Sequence, residues 1–201
     1  MGIKNVVFDF GQVLVHFEPS YMVKVYCNDE NDASLLEDIV FDRLYWDELD
    51  KGTLSNEDAL IAIKARLPER LWNLADKIYY NWIYNIPEID GMSELIDYIK
   101  SKYGVKTFLL SNISKYFCEH ADEIPILKKI DGKVMSGPIG MVKPNREIFD
   151  YLCNQFEISP NESIFVDDRI DNIEGALACG FKGYVFDGYA EILKAYLDKI
   201  L

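Results

Sequence analysis

A few chemically capable residues stand at the ends of short apolar runs. The run Lys4–Phe10 ends in Phe8-Asp9-Phe10-Gly11. Ser111-Asn112 follow VKTFLL, and Lys143-Pro144 precede a helical segment. Asp167-Asp168 follow SIFV, with Asp171 and Asn172 one turn later. Each cluster alone has an ordinary reading. Ser-Asn after a strand caps a helix, and Lys-Pro or Asp-Asp is common in solvated turns. Brought to one place, they read differently. Three converging carboxylates repel one another unless a cation neutralises them. Hard oxygen ligands, with no His or Cys among them, select Mg²⁺. A lysine and a serine hydroxyl beside such an ion make a pocket for a phosphoryl group.

The surrounding elements have to bring these residues together. Short β-branched runs at Lys4–Phe10, Val105–Leu110, Lys133–Ser136, Ser163–Val166 and Lys182–Phe186 read as strands. Helical periodicity spans Ser93–Tyr103, Lys115–Glu123, Asn145–Phe156, Asn172–Cys179 and Ala190–Leu201. Strands alternating with helices predict an α/β fold with a parallel sheet and right-handed crossovers. Ligands in such sheets sit at the carboxyl ends of the strands, where the polar clusters fall. Between about Ser20 and Pro87 the strand signals vanish. Helices are expected there over Ser34–Leu44, Asn56–Leu67 and Glu69–Tyr84, an insertion covering one end of the sheet.

Composition narrows the partners. The 201 residues carry 34 acidic and 21 basic side chains, a formal net charge of -13. That field repels nucleic acid and anionic membrane, so neither is an expected partner. An anion site must therefore be local, built from a cation or backbone N–H groups. The N-terminus has neither signal-peptide nor transit-peptide character, and no apolar run approaches spanning length. Four scattered cysteines without a C-x-x-C pair read as reduced thiols, and a cytoplasmic location is expected. Two histidines, His16 and His120, cannot build a multi-histidine metal site. No segment looks like an orphan apolar interface, so a monomer is expected.

The order Asp9, Ser111, Lys143, Asp167-Asp168 resembles the haloacid dehalogenase-like (HAD) hydrolase superfamily. The likeness spans nearly the whole chain. FDFGQVLV, DELDKGTLSNEDALIA, LLSN, MVKPNREIF and FVDDRIDNIEGA are similar to its small sugar-phosphate phosphatases of the α-D-glucose-1-phosphate phosphatase type. The resemblance implies a Rossmannoid three-layer core over 1–17 and 88–201, with a helical cap over 18–87. It implies that Asp9 takes the phosphoryl group as an aspartyl-phosphate. Asp168 would ligate Mg²⁺, with Asp167 supporting it directly or through water. Ser111 and the backbone N–H of Asn112 would hold phosphoryl oxygens, and Lys143 would offset charge. Asn172, with Asp171, would brace the acidic loop. The implied substrate is a small phosphorylated metabolite, a sugar phosphate in the branch it resembles.

One departure from the family pattern matters. Most of its phosphatases carry Asp two residues after the nucleophile, where this chain has Gly11. The Gly11 carbonyl can still bind Mg²⁺, but the acid that protonates the leaving group is missing. Such acid–base help is worth about a hundred- to ten-thousandfold. Substrates whose leaving groups need little protonation are therefore expected. A substitute acid is sought among His16, Glu18 and Gln12, with His16 the best matched by its ordinary pKa.

Two other functions fit part of the pattern. A metal-free 2-haloacid dehalogenase-type hydrolase also lacks the second Asp, but without a metal Asp167-Asp168 would be an electrostatic liability. A catalytically impaired scaffold with a binding role would account for Gly11, yet the nucleophile, lysine and acidic pair all remain. In the helical insertion most aromatics read as core. Tyr45 and Trp46, with Arg43 nearby, are the candidates for facing the site.

Overall fold

The first strand, β1, covers Asn5–Phe8, and all four of its residues are buried. A computed structural model describes residues 2–201. Buried, β-branched strands suit the centre of a parallel sheet with both faces covered. β1 lies at the centre of five strands in the order β3-β2-β1-β4-β5. Its partners are β2 (Lys106–Ser111) and β4 (Ser163–Asp167), with β3 (Gly132–Met135) and β5 (Lys182–Val185) at the edges. Every pairing is parallel. Chain order reverses between β1 and β4, which opens a crevice at their carboxyl ends.

Strand alternation divides the core in two. Val6, Phe8, Leu109, Ile164 and Val166 face one layer, with helices α6 (Met92–Tyr103) and α11 (Ala190–Ile200). Val7, Phe108, Leu110 and Phe165 face the other, with α9 (Arg146–Phe156) and α10 (Ile170–Ala178). Two short helices, α7 (Lys115–His120) and α8 (Ser136–Ile139), flank β2 and β3.

Five helices lie between β1 and α6: α1 (Pro19–Lys24), α2 (Glu30–Val40), α3 (Arg43–Asp50), α4 (Asn56–Ala65) and α5 (Trp72–Asn81). They bury a cluster of their own around Leu36, Leu49, Ile63 and Ile78. An aromatic ladder ties this insertion to helix α7. Trp46 meets Trp82 at 5.3 Å between ring centroids, and Trp82 stacks on Phe117 at 5.6 Å.

Several boundaries differ from expectation. Ser34–Leu44 is not one helix, because the chain breaks at Phe41-Asp42. Asp42 instead caps α3, its carboxylate accepting from Leu44 N–H at 2.9 Å. Glu69–Tyr84 is α5 with a 3₁₀ turn at each end. Helix α1 was not anticipated; Pro19 opens it. Ser136 leaves the expected third strand and starts α8. None of the helices is long and apolar enough to cross a membrane.

Candidate active site

Register brings the carboxylates together. Phe8 pairs with Val166, so the next residues, Asp9 and Asp167, lie side by side at the carboxyl edge. Asp9 N–H donates to the Val166 carbonyl at 2.9 Å, which extends the ladder by one step. The Lys143 ammonium reaches both, 2.7 Å from Asp9 Oδ1 and 2.7 Å from Asp167 Oδ2. Asp167 is fully buried and well supplied with donors. Asn172 Nδ2 donates to both of its oxygens at 3.1 Å, and Arg169 N–H to Oδ1 at 2.9 Å. Asp9 is less satisfied. Its contact with Lys143 is an ion pair out of hydrogen-bond alignment, so its buried Oδ1 lacks a hydrogen-bond donor. Ligand oxygens of Asp9, Asp167 and Asp168 lie within 4.8 Å of one another. An under-satisfied carboxylate in an all-oxygen acidic cluster fits a hard divalent cation.

The electrostatics follow from that crowding. Burial lifts the Asp9 carboxyl to about 6; Lys143 opposes the rise and Asp167 adds to it. Burial, then Asp167, raises Asp168 as well. For Lys143 burial works against the charge, but Asp9 and Asp167 win and raise it above its ordinary value. The ammonium therefore stays protonated, and a cation among the carboxylates would favour their charged forms.

A cavity of about 400 Å³ opens over this edge, a size suited to a small metabolite. Its floor includes Asp9, Ser111, Asn112, Lys143 and Asp168. Phe17, Phe41, Trp46 and Trp82 form an aromatic wall. Two contacts aim Lys143. The Asn112 amide clamps its backbone, accepting from Lys143 N–H at 2.8 Å and donating to its carbonyl at 3.0 Å. Helix α10 presses on the next residue, since a Cβ at Gly175 would meet the Pro144 carbonyl oxygen at 2.5 Å.

A family model for haloacid dehalogenase-like hydrolases matches residues 3–180. The chain belongs to this family. The hydrolase is 28% identical over 193 residues to a D-ribitol-5-phosphate phosphatase of Bacteroides thetaiotaomicron, covering 90% of this chain and 91% of the relative. It is 24% identical to a sesquiterpene phosphatase of Aspergillus oryzae, with 90% and 88% covered. Its fold matches a HAD family enzyme of B. thetaiotaomicron solved with magnesium and inorganic phosphate, at a TM-score of 0.68 and 18% identity. That match covers 93% of this chain and 96% of the other.

The hydrolase brings Asp9, Gly11, Ser111, Asn112, Lys143, Asp168 and Asn172 to one cavity. Asp167 lies beneath it, tied to Lys143 and Asn172. Asp171 lines the rim, where it pairs with Arg169 at 2.7 Å and accepts from Asn172 N–H at 3.1 Å, but it does not reach Asp167 or Asp168. Its spacing suits that guanidinium better than Asp167, which Asn172 already occupies. The expected substitute acids fare poorly. His16 and Glu18 are exposed and outside the cavity, because the chain turns away once His16 N–H bonds the Pro87 carbonyl at 2.8 Å. Gln12 does line the cavity, but its side-chain amide donates to the Phe17 carbonyl at 3.0 Å. Of the insertion's candidates, Arg43 and Trp46 face the cavity, whereas Tyr45 packs in the insertion's own core. Asp50 lines the cavity and was not anticipated. Nothing in its local spacing distinguishes it from a solvated helix-end carboxylate.

Proposed function

We propose that this hydrolase is a Mg²⁺-dependent phosphatase of small phosphomonoesters, with Asp9 as its nucleophile. The observation that carries the reading is the Lys143 ammonium, held 2.7 Å from both Asp9 and Asp167 at the floor of a cavity. An ammonium so placed pairs with the nucleophile and stands ready to offset phosphoryl charge. Asp9 attacks phosphorus in line, and the bond to the leaving alcohol breaks. Water then attacks the aspartyl-phosphate and frees Asp9. Ser111 and the Asn112 N–H hold phosphoryl oxygens. Asp9, Asp168, the Gly11 carbonyl and Asp167 would hold Mg²⁺, Asp167 directly or through water. The bound ion supplies charge neutralisation at the phosphoryl group. Residues 18–87 act as a cap over the core formed by 1–17 and 88–201.

The substrate class is a phosphorylated sugar or polyol. A cavity of about 400 Å³ with a charged floor and an aromatic wall suits such a molecule. The B. thetaiotaomicron relative is named for a polyol phosphate, which favours a primary phosphate ester over the anomeric phosphate expected from the glucose-1-phosphate branch. A dehalogenase reading is less favoured, because Asp167 and Asp168 crowd the site without need of each other if no cation binds.

Phosphate release from a panel of sugar, polyol and aryl phosphates, with Mg²⁺ or with EDTA, tests the proposal. Mg²⁺-dependent release is expected, with polyol and sugar 5-phosphates preferred. Dechlorination of 2-chloropropionate without phosphate release would overturn it.

A further inference from the structure

Gly11 leaves the site without a leaving-group acid on the first loop. Besides Asp9, Asp168 and the Arg169-paired Asp171, the cavity is lined by two carboxyl groups from the helical insertion, Asp47 and Asp50, and Asp47 is paired with Arg43. Asp50 is the last residue of α3, and it lines the same cavity as Asp9, Gly11 and Lys143. Among the described residues its side chain makes no hydrogen bond or ion pair. Arg43, the nearest cation on its own helix, is instead engaged by Asp47 at 2.6 Å. Its backbone is fixed to the core. Ser136 Oγ donates to the Asp50 carbonyl at 2.6 Å, and Lys115 Nζ to the Gly52 carbonyl at 3.2 Å. Gly52 has φ +70°, and a Cβ there would meet the Gly137 carbonyl oxygen at 2.1 Å. The end of α3 is thus seated on the core, and its last residue adds an unpaired carboxyl to the lining of the cavity that holds Asp9 and Lys143.

We infer that the Asp50 carboxyl is the general acid and base of this hydrolase, doing from the insertion what Gly11 cannot do from the loop. The inference rests on the phosphatase reading above. As Asp9 attacks phosphorus, the P–O bond to the leaving alcohol breaks and Asp50 gives its proton to that oxygen. Asp50, now a carboxylate, takes a proton from the water that attacks the aspartyl-phosphate. The P–O bond to Asp9 breaks, and Asp50 ends protonated as it began. Its surroundings suit both steps. Burial lifts Asp50 to about 7; Arg43 and Lys143 pull it down, while Asp47 and Asp9 push it up. From α7, the Cys118 thiol also faces its charge. A group that exchanges protons near neutral pH is the kind an acid–base cycle needs.

The test compares leaving groups. Ribitol 5-phosphate leaves as an alkoxide and needs a proton, whereas p-nitrophenyl phosphate leaves as a stable phenolate. In wild type, kcat/KM for the polyol phosphate is expected to fall on the alkaline side as Asp50 loses its proton, and for the aryl phosphate to fall far less. Asp50→Asn should lower kcat/KM for the polyol phosphate about a hundred- to ten-thousandfold and for the aryl phosphate less than about tenfold. Gly11→Asp in the Asp50→Asn background should restore part of the loss, since a Cβ at Gly11 meets only Phe17 Cβ, at an ordinary 3.6 Å. Equal losses on both substrates, or no loss on the polyol phosphate, would overturn the inference. The wild-type pH profiles decide the same question without a variant, identical alkaline limbs for the two substrates counting against Asp50. A wild type that releases phosphate from neither substrate overturns the phosphatase reading itself.

Discussion

Lys143 is the residue on which the site's charge balance turns. It is 4% exposed and, among the described residues, is the one cation paired with Asp9 and Asp167. Breaking a buried pair by removing one partner costs more than the pair was worth, because the other charge is left uncompensated. Lys143→Met is therefore expected to destabilise the metal-free protein by about 3–5 kcal/mol. Urea denaturation in EDTA checks this, and an unchanged midpoint would contradict it. Asn172 is the quieter partner. Its amide is bonded to both oxygens of the fully buried Asp167. Asn172→Leu should cost about 1–3 kcal/mol by leaving that carboxylate under-supplied. It should also weaken Mg²⁺ binding, read by calorimetry. Most floor residues were legible in the sequence because each follows a strand. Asp50 and the Asn112 clamp on Lys143 were not, because their partners are distant in the chain. His16 drew attention by its chemistry alone, and a backbone bond to Pro87 turns it to solvent.

Elements carry the next level of control. Helix α10 bears on the loop of Lys143 and Pro144 through Gly175, where no side chain fits. Gly175→Ala would gain helix propensity of about 1 kcal/mol. It would also force the Pro144 carbonyl away, and overpacking typically costs about 1–3 kcal/mol. A displaced Lys143 is expected to cost turnover by about a hundredfold, as small misplacements of reacting groups do. A stable variant with wild-type kcat would show that α10 does not set Lys143. The strand–helix alternation was readable, since β-branched runs and amphipathic helices have different periods. The break at Phe41-Asp42 was less so, because Asp42 fits a helix by pattern and leaves it by capping α3. Tyr45 and Trp46 are neighbours on α3, yet only Trp46 faces the cavity. Adjacent helical residues point about 100° apart, and which of them looks inward depends on how α3 docks.

At the scale of the molecule, charge and pH set the conditions. The net charge of -13 opposes the approach of a phosphate ester. Screening should therefore help. Raising ionic strength from about 0.01 to 0.15 M shortens the Debye length from about 30 to 8 Å. At saturating Mg²⁺, kcat/KM is expected to rise severalfold across that range. A fall would mean that the local cations Arg43, Lys51 and Lys143 dominate the approach. The raised Asp50 pKa, about 7 against 3.8 for a free aspartate, links stability to pH. Between those values the folded chain holds a proton that the unfolded chain has lost, so stability falls as pH rises. Asp50→Asn removes this liability. Its melting temperature relative to wild type should increase from pH 4 to pH 8, and a constant difference would show that Asp50 titrates normally.

On the proposed mechanism Asp9 carries the phosphoryl group. The most direct measurement is acid quenching of the hydrolase during turnover with Mg²⁺ and a substrate of the panel, followed by mass spectrometry of the peptide holding Asp9. A phosphoryl group on Asp9 in wild type, and none in Asp9→Asn together with loss of phosphate release, is the predicted result. Continued phosphate release by Asp9→Asn, with no phosphoryl group on the wild-type peptide, would contradict it.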